Sequence, residues 1–435
     1  MTQRTIAPQV RPFSDVRLDL PPLRHLSNGI PIYVIDRGSD EVNRLSVYVR
    51  GGVLDEPVPM LSLLTGAALV EGSSRFTSAD IALRLDNEGA WKAVQAYDDW
   101  TELSFWSLNE HFASILEILT DCLTAPSFNA EDLAVLQRRY AGTCATQRQR
   151  GKYYSSLALR QMFYGAGHPL SRDTTPERIL AITTGQLQNY YNTYYKTASM
   201  CVVLAGRVTD EMIAMTDASI GQMSLPGEAP QPYDWASFSL PQSGAQRIIH
   251  RPDDVQASIA IAIPAVARRH PDYFKLRLTA ILLGGYFGSR LMTNIREDKG
   301  YTYGITAFLA GRAHCANVGI NTECDVAHAM PVLDEVRREM RRLREEPVSQ
   351  AELDIVKQNM ISDLVKTLDT PFSVASYVAS TITIGVYPEY YNEQVKQVMA
   401  ATARDVMLMA ERYLNEERML IAIAAPEDKL VQIAP

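Results

Sequence analysis

Arg296 and Tyr303 stand in the stretch LLGGYFGSRLMTNIREDKGYTYGITAFLAG, Leu282 to Gly311. One is a permanent cation whose planar fork of donors grips carbonyl and carboxylate oxygens. The other is a phenol that can donate a hydrogen bond to a developing oxyanion. Together they suit the binding and polarisation of an acyl group. The seven histidines, by contrast, are scattered, and no two share a helix face at i, i+3 or i, i+4. His314, Cys315, Cys324 and His328 form the densest set of soft ligands. His314 and Cys315 are expected in a strand, where neighbours point to opposite faces, so ordinary packing explains them better than a metal. LGGYFG lacks the lysine and spacing of a phosphate loop, and its glycines fit close helix packing.

The elements that must position the pair are readable. Arg290, Leu291, Ile295 and Arg296 fall on an amphipathic helix ending at Asp298-Lys299-Gly300, with Gly300 as a left-handed cap. Tyr301, Tyr303, Ile305 and Ala307 then alternate with Thr302, Gly304 and Thr306, the period of a strand. A helix that stops and turns into a strand brings both residues to one edge. The plain alternative is a helix-end cation neutralising carbonyls, beside an ordinary strand tyrosine.

At 435 residues the chain is too long for one core. Its 46% hydrophobic and 21% charged residues are those of a soluble globular protein. A net charge of −8 argues against nucleic acid or an anionic membrane as partner. No apolar run approaches the ~18 residues of a membrane span. MTQRTIAPQVRPF lacks the apolar core of a signal peptide, and five cysteines without a CxxC pair fit a reducing compartment. A cytoplasmic location is therefore expected.

Three units recur at a constant offset. SQAELDIVKQNMISDLVKTL, from Ser349, matches NAEDLAVLQRRYAGTCATQR, from Asn129. TARDVMLMAERYLNEERMLIAIAA, from Thr402, matches TTGQLQNYYNTYYKTASMCVVLAG, from Thr183, and a strand pair at 247–264 matches one at 26–52. The offsets are 220 and 219, which means an internal duplication. The fold class is α+β: two tandem homologous α/β-sandwich domains, residues 1–220 and 241–435. A Pro/Gly-containing linker is expected over 221–240. Asn129 is read as a helix N-cap, Ser78 and Thr184 as others. The basic run Arg337 to Glu346 is read as a solvated helix face, and Tyr190, Tyr191, Tyr194 and Tyr195 as packing residues.

This pattern resembles the pitrilysin/insulinase family of inverted-motif zinc peptidases, which includes the processing-peptidase subunits and the bc1 core proteins. The likeness runs from about Leu20 to Ile433. Its most specific piece is LLGG, then SRL, then R-x6-Y as REDKGYTY. Active members carry H-x-x-E-H on a helix of the first half, two histidines for zinc and a glutamate as base. Here those positions fall on Leu63, Leu64, Thr65, Gly66 and Ala67. Glu71 lies one turn beyond. The third ligand should be a glutamate in the long helix, yet Glu131 to Glu177 contains no other, and the aligned region holds Cys144. The degenerate positions Leu63, Gly66 and Ala67 cannot bind catalytic zinc.

The resemblance implies that Arg296 and Tyr303 hold the substrate backbone and stabilise the tetrahedral intermediate in trans. The implied function is a non-catalytic subunit of a heterodimeric zinc metallopeptidase. It would have no cofactor of its own, a zinc-bearing homologous subunit as partner and a peptide as substrate. A long glycine-rich loop of the presequence-receptor kind is missing. The alternative is a peptide-binding or scaffold protein of the same fold; an independent hydrolase is disfavoured, since no Ser/His/Asp or Cys/His set can be assembled.

Overall fold

The computed structural model describes residues 16–228, 230–386 and 388–431. An irregular, proline-rich stretch is expected from sequence over 1–25, and residues 1–15 of it lie outside the described residues. In chain order the strands are β1 (Arg24–His25), β2 (Pro31–Asp36), β3 (Val42–Arg50), β4 (Trp91–Ala96), β5 (Trp100–Leu108) and β6 (Met200–Gly206). They continue as β7 (Ala245–His250), β8 (Gln256–Ala265), β9 (Thr302–Gly311), β10 (Ala316–Asp325) and β11 (Leu420–Ala425). The first-half helices are α1 (Leu61–Leu69), α2 (Ser78–Asn87), α3 (Phe112–Thr124), α4 (Ala130–Arg148), α5 (Gly151–Tyr164), α6 (Pro176–Leu180), α7 (Thr184–Tyr194) and α8 (Asp210–Ser219). Those that follow are α9 (Tyr273–Gly284), α10 (Ala329–Glu345), α11 (Gln350–Lys366), α12 (Pro371–Thr383), α13 (Tyr390–Ala400) and α14 (Ala403–Tyr413).

Two sheets result, ordered β1-β2-β6-β3-β5-β4 and β7-β11-β8-β10-β9. The fold is α+β with one sheet in each half. The strand pairs expected from sequence need correction. β2 and β3 are not neighbours, and neither are β7 and β8. In each half the closing strand inserts between them, parallel to the first and antiparallel to the second. Closing strands buried at every position read as unbroken apolar runs, MCVVLAG and LIAIAA, because both of their faces are covered.

Caps fix the repeated helices. Asn129 Oδ1 accepts the Glu131 amide at 2.7 Å, and Ser349 Oγ accepts the Glu352 amide at 3.2 Å. Thr183 and Thr402 both close capping boxes, with Gln186 and Asp405. The cap of α7 is thus Thr183 rather than Thr184, and that of α2 is Thr77 rather than Ser78. In each case the earlier hydroxyl has the box partner three residues on.

The halves exchange a helix. α5 follows the long helix of the first half but packs on β8 and β11 of the second sheet. Its counterpart α12 packs on β6 and β2 of the first. Leu18, Tyr33, Ile35, Tyr48, Cys201, Val203 and Ala205 consequently share a core with the second half. The 221–240 segment is no loose spacer. His168, buried, lies among the rings of Tyr164, Tyr233, Trp235 and Phe238, and Trp235 stacks on His314 at 5.4 Å. His314 and Cys315 thus occupy the turn between β9 and β10, not a strand.

Candidate functional site

The segment carrying Arg296 is not one regular helix. α9 ends at Gly284, the chain turns over 285–289, and helical structure resumes at Arg290. Met292–Asp298 then forms a π-helix. Its wider turn is marked by the Lys299 amide donating five residues back, to the Asn294 carbonyl, at 3.2 Å. The turn is pinned from below. Asn294 Nδ2 donates to Glu335 at 3.0 Å and Glu339 at 2.8 Å, both buried on α10. Arg290 grips Glu352 with two bonds, 2.8 and 3.0 Å. The Arg296 guanidinium lies over the Phe287 ring, 4.6 Å from its centre, and that ring is itself exposed.

Gly300 takes φ +67°, the left-handed stop expected from sequence. The strand that follows departs from strict alternation. Ile305 pairs with Thr322 and Thr302 with Cys324, so Tyr303 and Gly304 together face the single residue Glu323. This β-bulge shifts the phase. Thr302, Ile305 and Ala307 are buried, whereas Tyr303 is 91% exposed on the opposite face from Ile305. Hydroxyls hold the bulge. Thr302 Oγ1 donates to the Glu323 carbonyl at 2.7 Å and accepts the Gly304 amide at 3.1 Å, and Thr322 Oγ1 donates to the Gly304 carbonyl at 2.9 Å. Tyr303 borders a pocket of about 310 Å³ with Lys152 and Ser156 from α5 and Gln256, Asn321 and Glu323 from the second sheet. The exchanged helix therefore supplies one wall.

The zinc-motif positions are packed shut. On α1, Leu64, Thr65, Gly66 and Ala67 are buried and Leu63 half-buried. A Cβ at Gly66 would stand 2.8 Å from Val94 Cγ1 and 3.0 Å from Thr101 Cγ2. A glutamate cannot fit there. Thr65 Oγ1 returns its proton to the Leu61 carbonyl at 2.7 Å. Glu71 lies 3.4 Å from Lys92, which also donates to the Val70 carbonyl and whose ammonium pKa is pushed down by burial. Cys144 donates to the Thr174 carbonyl at 3.4 Å, and burial pushes its thiol pKa up, away from thiolate. Among the described residues no three His, Cys, Asp or Glu side chains converge on a point where a metal could be held. The residues present do not fit zinc.

Residues 181–360 match the family model described as the peptidase M16 inactive domain. The match is to the non-catalytic kind of pitrilysin-family (M16) domain. Among curated relatives, an uncharacterised zinc protease of Streptomyces coelicolor is 20% identical over 368 residues, 83% of this chain and 80% of that protein. The β subunit of the mitochondrial-processing peptidase of Saccharomyces cerevisiae is 22% identical over 374 residues, 81% and 79% of the two chains. In structure, a peptidase M16 inactive domain from Pseudomonas fluorescens superposes with a TM-score of 0.82 at 22% identity, covering 94% of this chain and 98% of that one. The M16 fold thus spans both halves.

The anchors beneath the π-turn escape a reading by charge. Glu339 belongs to the basic run taken as a solvated face, yet it is 2% exposed. The usable signal is position: Glu335 and Glu339 interrupt the apolar stripe Val332, Val336, Met340 and Leu343 of α10. A carboxylate on a helix's apolar face requires donors; Asn294 donates to both, while Lys299 and Arg338 pair with Glu335 and Arg342 pairs with Glu339.

Proposed function

We propose that this M16 protein is the non-catalytic subunit of a heterodimeric metallopeptidase, giving Arg296 and Tyr303 to the zinc site of a homologous partner. The observation that carries the reading is the contrast within one chain. The α1 site is closed even to a Cβ at Gly66, while Tyr303 is turned out by a bulge and Arg296 is set on a pinned π-turn. Zinc chemistry would belong to the partner. In this chain Arg296 would bind the substrate carbonyl and Tyr303 would donate its phenolic proton to the oxyanion as charge develops. Both residues would act on an extended peptide. Two outer strands suit such a peptide, β4 in the first sheet and β9 in the second, each paired on one side only.

Removing one oxyanion donor costs roughly 10²–10³ in kcat. Tyr303→Phe should therefore cripple turnover by the reconstituted complex with little change in assembly. Unchanged turnover would refute the assignment. A peptide-binding scaffold is the second reading. The open edge of β4 favours it equally, but it gives the exposed Tyr303 no task.

A further inference from the structure

Between α9 and the helical stretch that carries Arg296 the chain runs Gly285-Tyr286-Phe287-Gly288-Ser289. The Ser289 amide donates to the Tyr286 carbonyl at 3.1 Å, which closes a turn with Phe287 at its second position. Both flanks are anchored. The Gly285 amide donates to the Ile281 carbonyl at 2.7 Å, and Tyr286 packs against the core. The buried Ser289 accepts the Thr293 amide at 2.9 Å. Tyr286 is thus turned in and Phe287 out.

Phe287 is 63% exposed, so burial does not explain a phenylalanine at this place. Its ring instead lies under the Arg296 guanidinium, whose carbon is 4.6 Å from the ring centre, within the range of a cation–π contact. Arg296 is half-buried, yet among the described residues it makes no hydrogen bond and no ion pair. Glu297 and Asp298, next in sequence, do not pair with it. Arg290, six residues earlier, is held the other way, with two of its N–H bonds given to Glu352. A carboxylate holds a guanidinium by its edge and occupies its donors. A ring attracts the charge through the face and leaves the N–H groups of the plane free.

We propose that Phe287 is the positioning residue of Arg296. Its ring restrains the guanidinium while the N–H groups stay open to a substrate carbonyl. A cation restrained beforehand loses less freedom when the peptide arrives. The proposal rests on the role given to Arg296 above.

Two measurements test it. The first uses the full chain without a partner. The Arg296 Nε–H resonance, labelled with nitrogen-15 and identified by its loss in Arg296→Lys, reports the ring directly. A proton over an aromatic face is shifted upfield. Phe287→Leu should remove that shift, and Phe287→Trp should keep it. A resonance that Phe287→Leu leaves in place would overturn the proposal. The second uses the reconstituted complex and a fluorogenic peptide chosen because the complex with the unaltered chain cleaves it. Phe287→Leu should lower kcat/KM about two- to thirtyfold, the span from an exposed to a desolvated cation–π contact, and Phe287→Trp should restore it. In an Arg296→Ala background Phe287→Leu should cause no further loss, because the ring acts only through the guanidinium. A loss that persists there, or unchanged kcat/KM in Phe287→Leu beside a crippled Arg296→Ala, would overturn the proposal. Full turnover by Arg296→Ala would instead refute the role given to Arg296, and Phe287 would then stand or fall on the resonance alone.

Discussion

Gly66 shows how completely the position of a catalytic base can be filled. Val94, Thr101 and the Tyr195 hydroxyl close around it at 2.8, 3.0 and 3.2 Å from where a Cβ would be. Gly66→Ala should destabilise the fold by roughly 1–3 kcal/mol, the usual cost of overpacking a tight core. Gly142→Ala is its control, for nothing lies within 4 Å of a Cβ on that exposed helical glycine. That variant should gain up to about 1 kcal/mol from helix propensity. Thermal unfolding of both checks the pair, and equal effects would mean that α1 is loosely packed. The missing ligands and the presence of Arg296 and Tyr303 were legible in the sequence, because residue type alone decides them. The tightness around Gly66 was not, since its neighbours come from β4, β5 and the end of α7, 28 to 129 positions away. The contact of Phe287 with Arg296 was equally invisible, as nothing in either residue type foretells it.

At the scale of elements, two irregularities aim the pair: a π-turn for Arg296 and a bulge for Tyr303. The π-turn depends on Asn294 between two buried carboxylates. Asn294→Ala removes both bonds and should cost roughly 1–3 kcal/mol. Asn294→Asp adds a third carboxylate and should cost more. A denaturant titration ranks the two, and a mild or reversed ranking would mean that Glu335 and Glu339 do not hold the turn. Hydrophobic period and capping residues made most helices and strands readable, α4, α11 and α14 above all. They could not reveal the bulge, because strict alternation is equally satisfied by Tyr301, Tyr303, Ile305 and Ala307. The two-against-one pairing is set by β10. Nor could they show that β6 and β11 insert between strands adjacent in sequence, since pairing partners are chosen across the sheet.

At the scale of the molecule, the duplication was legible as a repeated offset of 219–220 residues, but the exchange of α5 and α12 was not. Helices of modest amphipathicity do not announce which sheet they cover, and each lies beside the long helix of its own half in sequence. The exchange matters for function. It puts Lys152 and Ser156 of the first half beside Tyr303 of the second. The proposed role of this chain is to complete another chain's active site. Native mass and metal content of the complex, isolated gently from its own cells, test that most directly. The expected result is a 1:1 complex with a similar-sized chain carrying H-x-x-E-H and one zinc. A monomer or homodimer, with no such chain and no zinc, would contradict it.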